Sequence, residues 1–95
     1  MLKTLSRALF LMLLGAQSLA AWADQPHWID VRSVGEYESG HVEGAVNIPH
    51  TEIVERIAEV TGDKDDVIYL YCRSGRRSGI AKSVLEDAGF TNVVN

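Results

Sequence analysis

The sequence predicts a single α/β domain in which helices flank a parallel central sheet. Short runs rich in valine, isoleucine and tyrosine alternate along the chain with stretches whose apolar residues recur at helical spacing. One of these runs, residues 67–71, is apolar on both faces, as the central strand of a parallel sheet should be. Strands that alternate with helices are typical of parallel sheets, and 95 residues suffice for one domain.

The first predicted strand covers residues 27–31 and leads into a short helix. Ser33 and Glu36 have the spacing of a capping box, in which each side chain accepts a hydrogen bond from the other residue's backbone N–H. Gly40 is expected to end this helix, because glycine commonly follows the last helical turn.

The second predicted strand covers residues 45–48, and Pro49 closes it. From Thr51 onward the apolar residues repeat at helical spacing, which predicts one helix up to a polar turn at residues 61–66. The apolar positions of this helix are Ile53, Val54, Ile57, Ala58 and Val60.

The third predicted strand, residues 67–71, precedes a glycine-containing loop and the longest predicted helix. The apolar face of that helix consists of Ile80, Ala81, Val84, Leu85 and Ala88. Gly89 ends the helix, and residues 90–94 are predicted to form the last strand.

Residues 1–23 have the three-part pattern of a secretory signal peptide. Lys3 and Arg7 give a positive start, residues 8–14 are an apolar core, and residues 21–23 match a small-residue cleavage site. A membrane anchor is disfavoured because the apolar stretch is well short of the ~20 residues that span a bilayer. We therefore expect export to the periplasm, a mature domain of residues 24–95, and no stable membrane insertion after cleavage.

The composition of residues 24–95 argues against several classes of function. Thirteen acidic and 7 basic side chains give this segment a net charge of −6, which disfavours nucleic-acid binding. The three histidines are scattered, and a single cysteine cannot complete a zinc-type set of ligands. We therefore expect a monomer without a metal or another cofactor.

Cys72 is the only cysteine in the chain and opens a loop with the sequence Cys-Arg-Ser-Gly-Arg-Arg-Ser, residues 72–78. Backbone N–H groups in such a loop, together with the dipole of the following helix, stabilise negative charge. Arg73, Arg76 and Arg77 add full positive charges. These conditions lower the pKa of a thiol and favour a nucleophilic thiolate. Ligands bind beyond the carboxyl ends of parallel strands, which is where Cys72 lies.

Three interpretations of this loop compete. The first is a small buried thiol beside a solvated basic patch. The second is a cysteine phosphatase or arsenate reductase, which uses Cys-x5-Arg; here that arginine position is Ser78, and Arg77 falls one residue early. The third is sulfur transfer, in which the Cys72 thiolate takes the outer sulfur of a donor such as thiosulfate. A loop one residue too short for a tetrahedral oxyanion favours a single sulfur beside the thiolate.

Several segments together resemble the rhodanese-like sulfurtransferase family, in particular its small secreted single-domain members. The matching segments are residues 28–32, 36–37, 40–49 and 72–78, so that the resemblance covers essentially all of residues 27–94. Each segment alone would be a weak signal, but the combination is highly specific.

The resemblance implies a five-stranded parallel sheet, thiosulfate as the sulfur donor and Cys72 as the carrier of a persulfide. Cyanide or a thiol would be the acceptor. The donor would bind to the remainder of the loop, namely Arg73, Ser74, Gly75, Arg76, Arg77 and Ser78. Asp30 and Arg32 would be structural residues near the site, and His41 would also be structural. Some domains of this family are inactive docking or regulatory modules, so a non-catalytic role is the alternative.

In the family, a Gly-Gly turn and a closing helix follow the strand that corresponds to Val93 and Val94. We therefore expect either that the printed chain is truncated at its carboxyl end or that a covering element has been lost. Loss of that element would leave apolar sheet surface exposed.

Overall fold

In a computed structural model, which describes residues 25–95, four parallel strands form one sheet in the order β2-β1-β3-β4. The strands are β1 (His27–Asp30), β2 (Val46–Asn47), β3 (Ile68–Tyr71) and β4 (Val93–Val94). The predicted fold class is therefore confirmed, whereas this part of the chain contains four of the five strands that the resemblance implied. The predicted signal peptide, residues 1–23, lies outside the described residues.

Three α-helices connect the strands: α1 (Val34–Glu38), α2 (Ile53–Arg56) and α3 (Arg76–Asp87). The prediction of one helix from Thr51 to Val60 is wrong, because 3₁₀ turns at His50–Glu52 and Ile57–Glu59 flank a single α-helical turn. The φ angle departs from the regular α-helical value at Glu52 and Arg56, where it is −115° and −113°. Ile53 and Ile57 are nevertheless buried, as their spacing predicts.

The capping box predicted for α1 is confirmed. The Ser33 hydroxyl accepts a hydrogen bond from the Glu36 N–H at 3.3 Å, and the Glu36 carboxylate accepts one from the Ser33 N–H at 3.0 Å. The helix ends at Glu38, two residues before Gly40. The early end leaves residues 39–45 as a loop that crosses the carboxyl edge of the sheet.

The core lies between one face of the sheet and helices α2 and α3. It consists of Ile29, Val31, Ile48, Ile53, Ile57, Ile68, Leu70, Ala81, Leu85, Phe90 and Val93. Three predicted apolar-face positions are not in the core: Val54 and Ile80 are 46% and 41% exposed, and Ala58 is exposed as well. Val54 and Ile80 border a groove between α2 and α3.

The opposite face of the sheet is less covered. Trp28 stacks on Tyr69 with ring centroids 4.7 Å apart, and Tyr69 pairs with Val94 on β4. Trp28 and Val94 are 42% and 43% exposed. Strand β3 is a central strand of the sheet, as predicted, but it is buried on one face, through Ile68 and Leu70, and only half-buried on the other.

The strand order defines where a ligand can bind. Strand β2 lies beside β1 on the side away from β3, and β4 lies beside β3 on the side away from β1. The chain therefore leaves the carboxyl ends of β1 and β3 in opposite directions. Such switch points form a crevice in parallel α/β sheets. Arg32 and Cys72 stand just beyond these two strand ends. Within residues 25–95, no helix is long and apolar enough to cross a membrane.

Candidate active site

The loop that follows β3 turns the chain sharply so that α3 begins beside Cys72. Gly75 has φ of +89°, the left-handed region that favours glycine, and it is the N-cap of α3. A Cβ added at Gly75 would meet no atom within 4 Å, so the requirement for glycine is conformational and not one of space. This turn aims the free N–H groups of the first helical turn at the preceding cysteine.

The Cys72 sulfur accepts hydrogen bonds from the N–H groups that this turn presents. The Gly75 nitrogen lies 3.0 Å from Sγ, and the Ser78 nitrogen lies 3.4 Å from it. The Ser78 hydroxyl oxygen also lies 3.4 Å from Sγ. The thiol is partly exposed, so a small molecule in solution can reach it.

These contacts favour the thiolate form of Cys72. Partial burial raises the pKa of Cys72, but hydrogen bonds from the Ser78 hydroxyl and from the backbone N–H groups of Ser78, Ser74 and Gly75 outweigh that effect. Together they lower the pKa to about 7 from 9.0. The thiolate is therefore more favourable at neutral pH than it is for an ordinary cysteine. The groups in contact are N–H and O–H donors, whereas the sequence argument had also relied on the three arginines.

Ser78 lies in the first turn of α3 and is fully buried. Its hydroxyl also lies within hydrogen-bond distance of the Gly75 carbonyl, at 3.2 Å, and donates to the side-chain oxygen of Asn95. Sequence spacing placed Ser78 at the arginine position of a phosphatase loop, and the family resemblance added it to the expected donor-binding residues. A serine at this position supplies no guanidinium to bind a tetrahedral oxyanion.

The three loop arginines have different surroundings. Arg77 forms a two-point ion pair with Glu36 of α1, with nitrogen–oxygen distances of 2.7 and 2.9 Å. That pair lowers the pKa of Glu36. Arg73 and Arg76 are exposed, and within residues 25–95 neither makes a hydrogen bond or an ion pair. The side chain of Ser74 is also exposed. Arg73 and Arg76 are therefore the cations available to an incoming anion.

A second charged group lies at the carboxyl end of β1. Asp30 is fully buried and receives hydrogen bonds from the Arg32 guanidinium at 2.6 to 3.0 Å, and from the Arg32 backbone N–H at 2.9 Å. The Tyr71 hydroxyl donates to the same carboxylate at 3.0 Å. Burial raises the pKa of Asp30, but the bonds from Arg32 and Tyr71 outweigh it and lower the pKa. These contacts fit the structural role expected for Asp30 and Arg32.

The loop of residues 39–45 is held against the same edge. Arg32 donates to the Gly40 carbonyl at 2.7 Å, and the Val42 N–H donates to the Tyr71 hydroxyl at 3.0 Å. His41 stacks on Tyr37 with ring centroids 3.6 Å apart, and its Nδ1 lies 2.8 Å from the Tyr37 carbonyl oxygen. His41 thus packs on its own loop, in agreement with a structural role.

Four residues that sequence reasoning did not assign to the site contribute to it. Tyr71 binds the Asp30 side chain, and Glu36 binds the Arg77 side chain. Asn47 donates to the Asp30 and Arg32 carbonyls at 3.0 Å. Asn95 contacts the Cys72 loop. A polar Asn47 within an otherwise apolar strand was a usable signal. The other three partners lie 17 to 41 residues from the groups they bind, so local spacing could not reveal them.

Comparison with known proteins agrees with this geometry. The sequence model described as "Rhodanese-like domain" matches residues 15–95. The chain belongs to the rhodanese-like domain family. The E. coli structure described as "rhodanese with anions" is 49% identical and superposes with a TM-score of 0.72, covering 75% of this chain and 84% of that one.

Two curated relatives extend the match. Thiosulfate sulfurtransferase PspE of Escherichia coli (strain K12) is 51% identical over 69 residues, which cover 73% of this chain. Putative sulfur carrier protein YrkF of Bacillus subtilis (strain 168) is 42% identical over 67 residues, which cover 70% of this chain. The chain spans 66% and 35% of the lengths of these two relatives.

Proposed function

We propose that this rhodanese-like domain is a thiosulfate sulfurtransferase that carries sulfur as a persulfide on Cys72. The observation that supports it best is the partly exposed Cys72, whose sulfur has N–H donors from Gly75 and Ser78 at 3.0 and 3.4 Å. Similarity to a thiosulfate sulfurtransferase and to a rhodanese described with anions supports the same reaction.

In the first half-reaction, the Cys72 thiolate attacks the outer sulfur of thiosulfate. A bond forms between Sγ and that sulfur, the sulfur–sulfur bond of thiosulfate breaks, and its electron pair leaves with sulfite. The charge is the same before and after, and no proton moves, so no general base is required. The N–H groups of the loop stabilise the anionic outer sulfur of the persulfide, as they stabilise the thiolate.

In the second half-reaction, cyanide or a thiolate attacks the outer sulfur and restores the Cys72 thiolate. The products are thiocyanate or the persulfide of the acceptor. The exposed Arg73 and Arg76 attract the anionic donor, which offsets the net negative charge of the domain.

Intact-protein mass spectrometry after incubation with thiosulfate tests the proposal. We expect a gain of one sulfur atom on Cys72, its removal by reductant, and thiocyanate formation when cyanide is added. The Cys72→Ser variant should show neither adduct nor product. A folded, reduced protein that gains no sulfur would refute the persulfide, and hydrolysis of a phosphate ester or reduction of arsenate in its place would establish the competing reaction.

We also propose that residues 1–23 direct export and are removed, which leaves a periplasmic domain that starts at Asp24. The charged start, apolar core and cleavage pattern support this assignment. Cell fractionation with amino-terminal sequencing tests it. We expect a periplasmic protein that starts at Asp24, and an uncleaved protein in the membrane fraction would contradict it.

A further inference from the structure

Asn95 follows β4, and its side chain reaches the Cys72 loop. Its side-chain oxygen accepts a hydrogen bond from the Ser78 hydroxyl, and its Nδ2 lies 3.4 Å from the Gly75 carbonyl oxygen. The same two residues, Gly75 and Ser78, supply the N–H groups that reach the Cys72 sulfur. The Asn95 side chain therefore contacts both residues whose N–H groups reach the sulfur.

The Ser78 hydroxyl has one proton and three acceptors within reach. These are Asn95 Oδ1, the Gly75 carbonyl oxygen at 3.2 Å and the Cys72 sulfur at 3.4 Å. Because Ser78 is fully buried, bulk water does not compete for this proton. The orientation of the hydroxyl, and of the backbone that carries it, is set by these neighbours.

We propose that Asn95 is a positioning residue of the active site, whose amide holds Gly75 and Ser78 together so that their N–H groups converge on the Cys72 sulfur. An amide can do this because it accepts a hydrogen bond at one atom and donates at the other. Asn95 does not contact the sulfur itself. The inference rests on the proposed sulfur transfer only for its effect on turnover; its effect on the thiol does not require that reaction.

Loss of the Asn95 amide should weaken the support for the thiolate. Without it, the first turn of α3 keeps its helical bond from the Gly79 N–H to the Gly75 carbonyl at 2.9 Å, so the helix can still form. The loop loses the side chain that contacts both residues, and only the 3.2 Å contact of the Ser78 hydroxyl with the Gly75 carbonyl oxygen still joins them directly. The two N–H groups are then held less firmly against the sulfur. The thiolate then becomes less favourable relative to the thiol.

The pH dependence of Cys72 alkylation in the Asn95→Ala variant of the full chain tests the proposal. We expect the midpoint to rise by about one pH unit relative to wild type, because hydrogen bonds to the anion are weakened. Asn92→Ala is the matched control. Asn92 lies just before β4 and donates to the Asp65 carbonyl at 2.7 Å, so its loss removes a comparable bond outside the loop. An unchanged midpoint in Asn95→Ala would overturn the proposal. A lower midpoint would overturn it too, because it would show that the Ser78 hydroxyl, once free of Asn95, donates its proton to the sulfur.

Asn95→Asp provides a second variant of nearly the same shape. The aspartate still accepts from the Ser78 hydroxyl, but it places an oxygen against the Gly75 carbonyl and adds a negative charge near the sulfur. Its midpoint should rise further than that of Asn95→Ala. If Asn95→Ala does not fold, a wild-type midpoint in Asn95→Asp would overturn the proposal in its place.

A Ser78→Ala background shows whether Asn95 acts through Ser78. In that background, the additional Asn95→Ala change should shift the midpoint by less than half of its effect in wild type. Equal shifts in both backgrounds would contradict the linkage. Sulfur uptake is measured in parallel: a shifted midpoint with no persulfide in wild type refutes the sulfurtransferase reaction alone, whereas persulfide formation with an unshifted midpoint refutes the role of Asn95 alone.

Discussion

Asp30 and Cys72 belong to neighbouring parallel strand ends, and each can carry a negative charge, but the protein treats the two charges differently. Asp30, the last residue of β1, is fully buried and is bound by the Arg32 guanidinium, an N–H group and the Tyr71 hydroxyl. Cys72, just after β3, is partly exposed and is bound by N–H groups and one hydroxyl.

The difference separates a structural anion from a reactive one. The Asp30 carboxylate is paired with a full charge and is inaccessible, so it stabilises the turn and cannot react with a solute. The Cys72 sulfur is supported by dipoles, which favour its ionisation without covering it. A thiolate that is stabilised but not neutralised by an ion pair keeps its nucleophilic lone pairs available.

The largest expected effect on stability is that of a substitution at Asp30, the structural anion. Asp30→Asn should lower the free energy of unfolding by about 3 kcal/mol, because it leaves the half-buried Arg32 guanidinium without its charged partner. Denaturant unfolding at neutral pH measures this loss, and the alkylation midpoint of Cys72 should remain that of wild type. The control is Glu59→Gln, which breaks the exposed pair with Arg56 and should cost less than about 1 kcal/mol. Similar losses of unfolding free energy in both variants would contradict the distinction between the buried anion and an exposed one.

The reactive anion should appear in the pH dependence of stability. The folded pKa of Cys72, about 7, lies below the ordinary value of 9.0, so its contribution to stability is absent below pH 7 and complete above pH 9. The free energy of unfolding of wild type, minus that of Cys72→Ser, should therefore increase by up to about 2 kcal/mol between these pH values. A difference that stays constant or decreases would show that the thiolate is not stabilised.

The same contrast explains what could be predicted from the sequence. Cys72 was predicted as the reactive residue because its signal is local: a strand, a glycine that turns the chain and a helix start lie within eight residues. The capping box at Ser33 and Glu36 is local too, and it is confirmed. The order of the strands is long-range, but the alternation of strands and helices sufficed to predict a parallel sheet.

Partners distant in sequence could not be predicted in this way. Nothing in the run Arg76-Arg77 indicates that only the second arginine meets Glu36, which lies 41 residues away. The exposure of Ile80 likewise depends on how α3 packs beside α2, because the same helical spacing suits either a core or a groove position. Side-chain spacing determines which face of a helix is apolar, whereas tertiary packing decides how much of that face is covered.

The ion pair between Arg77 and Glu36 should have an intermediate effect. Their side chains are 25% and 34% exposed, so we expect a coupling free energy of about 1 kcal/mol in a double-mutant cycle. Glu36→Gln and Arg77→Gln suit the cycle, because glutamine at position 36 can still accept the capping hydrogen bond from Ser33. Because Arg77 is paired with Glu36, the Arg77→Gln substitution should change the KM for thiosulfate less than twofold. A larger rise in KM would assign Arg77 to donor binding.

The smallest effect on stability is expected at the two loop arginines that face solvent. Arg73→Ala and Arg76→Ala should each change the free energy of unfolding by less than about 0.5 kcal/mol, since neither side chain makes an ion pair within residues 25–95. Their effect should appear as a rise in the KM for thiosulfate of about threefold or more at low salt, which shrinks as salt screens the charges. Lys64→Gln is the control for net charge, because Lys64 contacts Ala88 at the other end of α3. If all three variants raise the KM equally, overall charge attracts the donor, and if none does, the backbone N–H groups around Cys72 are sufficient to hold it.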